Sequence, residues 1–136
     1  MDGPFRAGGY MTVTLEFLGT GGAHSEDLGS SSAKICLPNH QSMLIDFGPD
    51  TFFAVKERKL QFDAIFLTHA HLDHVGGLER LFFNIAFKEQ RSIKLFIPVG
   101  LVTRLHQIFG SAGSQVAEGG MNFWDSFQLI PVSDAF

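Results

Sequence analysis

The segment Thr68-His69-Ala70-His71-Leu72-Asp73-His74 gathers three histidines and one carboxylate within six residues, directly after an apolar run. In extended backbone, side chains two apart point the same way, so His69 and His71 can meet one cation; on a helix they would diverge. A turn through Leu72 then lets Asp73 and His74 face a second cation beside the first. Neutral imidazole and carboxylate suit Zn2+, with Mn2+, Fe2+ and Ni2+ as further options. Two such ions about 3.5–4 Å apart form the arrangement used for hydrolytic displacement at phosphorus or carbonyl carbon. A lone histidine is ordinarily a surface or satisfied core residue, and Asp73 alone could cap a helix. Three histidines and an aspartate in this pattern at the end of an apolar strand are not explained that way. Gly76 and Gly77 are expected to leave the mouth of the site open and to start a helix whose N-terminus favours an anionic substrate group.

A strand must deliver this motif, and residues 62–68 predict one, apolar enough to be buried on both sides. Leu78, Leu81, Phe82, Ile85 and Ala86 recur at helical spacing and predict an amphipathic helix after it. Upstream, residues 11–18 alternate, with Val13, Leu15 and Phe17 apolar, which is the period of a half-buried strand. Gly19 opens a turn-rich loop that runs to Ser32. Residues 33–37 and 43–47 predict two more strands, joined by a turn at residues 38–41. Residues 51–59 are expected to form a short helix with Phe52, Phe53 and Val55 partly inward and Lys56, Arg58 and Lys59 solvated. Downstream come a strand at 93–98, a helix at 101–109 stopped by Gly110, a small-residue loop at 111–120 and a last strand or strand pair at 123–132. Strands first, then strands alternating with helices, imply an α/β layer arrangement.

With 136 residues the chain fits one small domain, and a 45% hydrophobic content that includes 15 Phe supplies a core and excludes a disordered chain. The formal net charge of -4 argues against a surface built along a nucleic-acid backbone, which needs a basic stripe. It leaves room for a small phosphorylated substrate, because bound metal supplies positive charge locally. One cysteine, Cys36, excludes an intrachain disulfide and a Cys-rich zinc site; between Ile35 and Leu37 it is expected to be a small core residue. No apolar stretch approaches the length of a membrane span, and the N-terminus lacks a signal-peptide core, so a cytoplasmic protein without membrane contact is expected. Residues 1–10 are Gly-rich and aperiodic, and are expected to be a flexible arm or an appendage foreign to the natural chain.

His69-Ala70-His71-Leu72-Asp73-His74 resembles the signature of the metallo-β-lactamase superfamily, with residues 62–68 and Gly76-Gly77-Leu78 matching its strand-before, helix-after pattern. Phe17-Leu18-Gly19-Thr20-Gly21-Gly22 and Leu44-Ile45-Asp46-Phe47-Gly48 are similar to one branch in particular. That branch holds transfer-RNA 3′-processing endonucleases, phosphodiesterases of phosphonate metabolism and enzymes that open cyclic nucleotides. The resemblance covers most of residues 11–100. It implies an α/β fold of the αββα-sandwich type and two Zn2+ ions, with His69 and His71 on the first and Asp73 and His74 on the second. It also implies Asp73 as a proton acceptor and Asp46 as a carboxylate behind the ligands, orienting their imidazoles; a plain turn aspartate is an equal reading of Asp46. His24 and Ser32 border the substrate pocket in this branch and are assigned no role.

The same resemblance implies a further His, a bridging Asp and a final His from the second half of the fold. No candidate set for these is found. The only histidine after His74 is His106, which is expected to be exposed on its helix. Residues 11–136 are therefore expected to form the N-terminal half of the domain, baring the sheet face meant for its partner. Completion by a C-terminal half or a second chain is expected, in a homodimer, with the chain by itself inactive. The function expected of the completed site is a two-metal phosphodiesterase acting on a nucleotide or RNA end, the acidic balance favouring smaller phosphodiesters such as cyclic nucleotides. A thioester or lactone hydrolase on the same metal core, or an inactive half-domain serving a structural role, are the competing expectations.

Overall fold

A computed structural model describes residues 11–113 and 120–133. Six strands form one sheet in the order β1 to β6. The first three, β1 (Thr14–Gly19), β2 (Ser32–Cys36) and β3 (Ser42–Ile45), pair antiparallel. From β3 onward, β4 (Ala64–Phe66), β5 (Ile93–Pro98) and β6 (Phe127–Val132) pair in parallel. Parallel neighbours need crossovers, and helices supply them: α1 (Pro49–Glu57), then α2 (Leu72–Val75) with α3 (Leu78–Asn84), then α4 (Val102–Phe109). The expected arm at residues 1–10 and residues 114–119 of the expected loop lie outside the described residues.

Register explains the core. Leu44, Ile65 and Leu95 sit side by side on β3, β4 and β5 and are wholly buried, together with Leu78, Leu81, Phe82 and Ile85 of the helical layer. Each such side chain removed from water contributes roughly 1.5–3 kcal/mol. The stripe expected at Leu78, Leu81, Phe82 and Ile85 is thus the one that packs. Past α3 the chain continues as a π-helical turn, Ile85–Glu89, closed by Gln90 at φ 49°.

The opposite sheet face carries no layer among the described residues. Leu15 pairs with Ile35, Ile35 with Met43 and Met43 with Ala64; Phe17 pairs with Ala33, Ala33 with Ile45, Ile45 with Phe66 and Phe66 with Phe96. Leu15 and Phe17 are 55% and 62% exposed, and Ile35, Met43, Ala64 and Phe96 line a shallow hollow. Three expectations change accordingly. The alternation of residues 11–18 is real, but its apolar members face outward while Leu18 joins the core. The strand before the motif is covered unequally on its two sides: Ile65 and Leu67 are wholly buried, whereas on the other face Ala64 is buried but Phe66 only half-buried. Cys36, at the end of β2, is half-buried and outside the core.

Two local departures have simple causes. Pro49, whose fixed φ suits a first helical position, starts α1 two residues earlier than expected, and its buried side chains are Thr51 and Val55, one turn apart. Phe53 lies roughly opposite them on a helical wheel and is exposed, with the Arg80 guanidinium 4.9 Å from its ring centre. The expected strand at 123–132 begins with a 3-10 turn, Phe123–Ser126, because Asn122 accepts from Trp124 N and bends the chain. The turn seats Phe123 against Phe82, Phe109 and Phe127.

Candidate metal centre

Asp46 follows the last residue of β3, and Thr68 begins the motif two residues beyond β4. The carboxyl ends of adjacent parallel strands are where α/β sheets place their sites. Asp46 adopts φ 61°, a left-handed conformation uncommon for a residue with a side chain, though Asp tolerates it better than most. Its neighbours hold it there. Its N–H donates to Phe66 O (2.8 Å) and its carbonyl accepts from Ser32 Oγ (3.0 Å). Its carboxylate, on a residue only 4% exposed, accepts from three donors: Thr68 N at Oδ1 (2.8 Å), and Thr68 Oγ1 (2.6 Å) and His74 Nδ1 (2.7 Å) at Oδ2.

Two glycines let the segment after β3 press against the motif. Phe47 N donates to His74 O (2.7 Å) and Gly77 N donates to Phe47 O (3.0 Å). A Cβ on Gly48 would stand 2.1 Å from Asp73 O, and one on Gly77 would stand 2.3 Å from Gly48 O. Close approach of backbones, rather than an open mouth, is therefore what Gly77 serves, and the same holds for Gly76, where a Cβ would meet Leu72 O at 2.5 Å. Their N–H groups are already donated, to Phe47 O and Leu72 O, so neither is free to receive an anion.

The motif converges. The His69 ring centre lies 4.8 Å from that of His71 and 3.9 Å from that of His74. One ligand atom from each of His69, His71 and Asp73 falls within 4.8 Å of the others, and so does one from each of Asp46, His69 and His74. Asp73 Oδ2 is also 3.1 Å from His74 Nε2. The four motif side chains thus form a continuous cluster, and His69 belongs to both groups. Asp46 stands behind it with both carboxylate oxygens engaged.

A cation fits this donor set. A carboxylate only accepts, so neutral His74 carries its proton on Nδ1 toward Asp46. Its Nε2 and Asp73 Oδ2 are then two acceptors 3.1 Å apart, close to the ~3.3 Å that separates neighbouring ligands of a tetrahedral zinc. Without a positive charge between them the two atoms repel.

His106 and His24 belong to neither group. His106 is exposed, and its Nδ1 accepts from Trp124 Nε1 at 3.1 Å; His24 is exposed on its loop. Sequence reasoning gives no role to Thr68 or Ser32, both of which hold Asp46. The one available signal is a hydroxyl residue at a strand end beside a candidate ligand.

Comparison with known proteins extends these observations. The family described as Anti-Pycsar protein Apyc1 matches residues 13–135. An Anti-Pycsar protein Apyc1 of Paenibacillus xerothermodurans is 32% identical over 130 residues, covering 92% of this chain and 51% of the relative. The chain spans about half the length of the first relatives that it matches (51%, 48% and 49%). Among solved structures, a diphosphatase from the PhnP family superposes with a TM-score of 0.69 at 18% identity, over 89% of this chain and 51% of that one. The metallo-beta-lactamase fold protein YhfI from Bacillus subtilis superposes with a TM-score of 0.64 at 15% identity, over 88% of this chain and 45% of that one. The fold is thus that of the metallo-β-lactamase proteins, matched over about half of each.

Proposed function

The chain belongs to the Anti-Pycsar protein Apyc1 family, and from that premise we propose that it carries the metal-binding half of a metal-dependent phosphodiesterase whose substrate is a cyclic nucleotide. The observation that carries this reading is the meeting of His69, His71, Asp73 and His74 donor atoms at the carboxyl end of β4. Family membership and the net charge of -4 both favour a small phosphodiester over an RNA end.

His69, His71, Asp73 and His74 would hold divalent cations, zinc by the chemistry of the donors. Such ions, when bound, supply Lewis-acid activation of water and neutralise charge on the phosphoryl oxygens. The protein's own residues do the rest. Asp46 keeps the His74 ring in one orientation through its 2.7 Å bond. Asp73 Oδ2, on a side chain 25% exposed, is reached by water and accepts the proton released by the attacking nucleophile. A C-terminal segment or second chain seated on the open face of β1 to β5 supplies the remaining ligands and excludes water from the apolar side. In this reading the assembly is a homodimer.

The test is turnover of bis(p-nitrophenyl) phosphate and of cyclic nucleotides by the chain completed with its C-terminal segment, with a thioester assayed alongside. Hydrolysis of the phosphodiesters that chelator abolishes and His69→Ala removes is the expected result. Metal-dependent turnover of the thioester alone would replace this reading with an acyl hydrolase.

A further inference from the structure

Thr68 ends one chain of hydrogen bonds and begins another. Its Oγ1 lies 2.6 Å from Asp46 Oδ2 and 3.0 Å from His69 Nδ1. A hydroxyl has one proton to give, and an ionised carboxylate has none. Were that proton directed to His69, two oxygens would face each other at 2.6 Å with no hydrogen between them. The hydroxyl therefore donates to Asp46, and the contact with His69 requires the ring to donate through Nδ1–H.

We propose that Thr68 is a positioning residue that fixes His69 in the Nδ1–H tautomer, so that its Nε2 lone pair is the one offered to a cation. The backbone places it for this task. Thr68 N binds Asp46 Oδ1 at 2.8 Å while Thr68 Oγ1 binds Oδ2, a two-point clasp that holds the hydroxyl beside the next residue's ring. The same Oδ2 accepts from His74 Nδ1. Asp46 thus imposes one tautomer on two imidazoles, on His74 directly and on His69 through the Thr68 hydroxyl, and leaves the Nε2 lone pair of each for a cation. This pre-orders two ligands before any ion arrives, and it joins residues after β3 and β4 into one unit.

The inference rests on the metal reading of this site but needs neither turnover nor a bound ion for its first test. In the metal-free chain at about pH 8, where neutral imidazole prevails, nitrogen-15 correlation spectra of the side chains distinguish the two tautomers. His69 is expected as Nδ1–H in the unaltered chain and in Thr68→Ser, and as a tautomer mixture in Thr68→Val. Cobalt(II) affinity is expected to fall about 10–100-fold in Thr68→Val, the usual cost of losing such a supporting contact, and to recover in Thr68→Ser to within roughly threefold. An Nε2–H tautomer for His69 in the unaltered chain overturns the proposal outright, even if Thr68→Val fails to fold. An unchanged tautomer and affinity in a folded Thr68→Val overturn it as well. Absence of phosphodiester turnover in the unaltered, completed protein whose His69 is Nδ1–H would count instead against the catalytic reading.

Discussion

Asp46 is where most of the site's order is stored: one buried carboxylate satisfies three donors from a backbone angle that side chains usually avoid. Asp46→Ala removes the acceptor and leaves Thr68 and His74 with unmet donors, a loss of roughly 1–3 kcal/mol, while keeping the left-handed strain. Asp46→Gly loses the same bonds but relieves a strain of about 1 kcal/mol. Urea unfolding of the two variants is expected to place Gly above Ala in stability. An Ala variant as stable as Gly or more so would mean that any strain at φ 61° does not exceed the backbone entropy that Gly costs. The motif residues were legible because their chemistry is local in sequence. Asp46 was legible only through family resemblance, and Thr68 and Ser32 were not, since the bonds that define them span 22 and 14 residues and leave no periodic trace.

At the scale of elements, the contacts that place the motif are backbone to backbone. Gly77→Ala would push a Cβ against Gly48 O from 2.3 Å, and since neither backbone can yield cheaply, a loss of about 1–3 kcal/mol is expected, read by thermal unfolding, together with weakened metal binding. A stability unchanged from the parent would mean that the two segments are not held at this distance. On the far side of α1, Lys56 and Arg91 grip Glu89 at 3.1 and 2.6 Å. Burial opposes ionisation of this carboxyl, but the Arg91 and Lys56 hydrogen bonds and charges outweigh it and hold it below its ordinary value of 4.5. A depressed carboxyl stabilises above its unfolded value and loses that contribution as pH falls through the folded one. Glu89→Gln is therefore expected to cost under about 1 kcal/mol at pH near 7, solvent screening allowed for, and nothing in acid below the depressed value. A cost that persists there would assign the effect to packing. Periodicity found α3 and the strands, because alternation and helical spacing are local. It did not find the π-helical turn at residues 85–89, because Ile85 and Ala86 fit the helical stripe equally well.

The described residues form two layers, a sheet and its helices, with the other face of the sheet open. Alternation in residues 11–18 reports that the two faces of β1 differ; it cannot report what covers either, and for the same reason residues 62–68 read as buried on both sides. Resemblance to a larger fold, by contrast, anticipated the bare face. Leu15 and Phe17 have little left to pack against, so Phe17→Lys is expected to lower binding of a hydrophobic dye while changing unfolding free energy by less than about 0.5 kcal/mol; a large loss of stability would show that Phe17 is covered in solution. The central claim, that the motif at the end of β4 is a metal centre, is tested most directly by titrating the metal-free chain with cobalt(II) and recording its visible absorption. The expected result is a saturable spectrum of nitrogen- and oxygen-ligated cobalt, with affinity lowered at least about tenfold in His71→Ala and Asp73→Ala. A spectrum that stays that of the aqueous ion throughout the titration would contradict it.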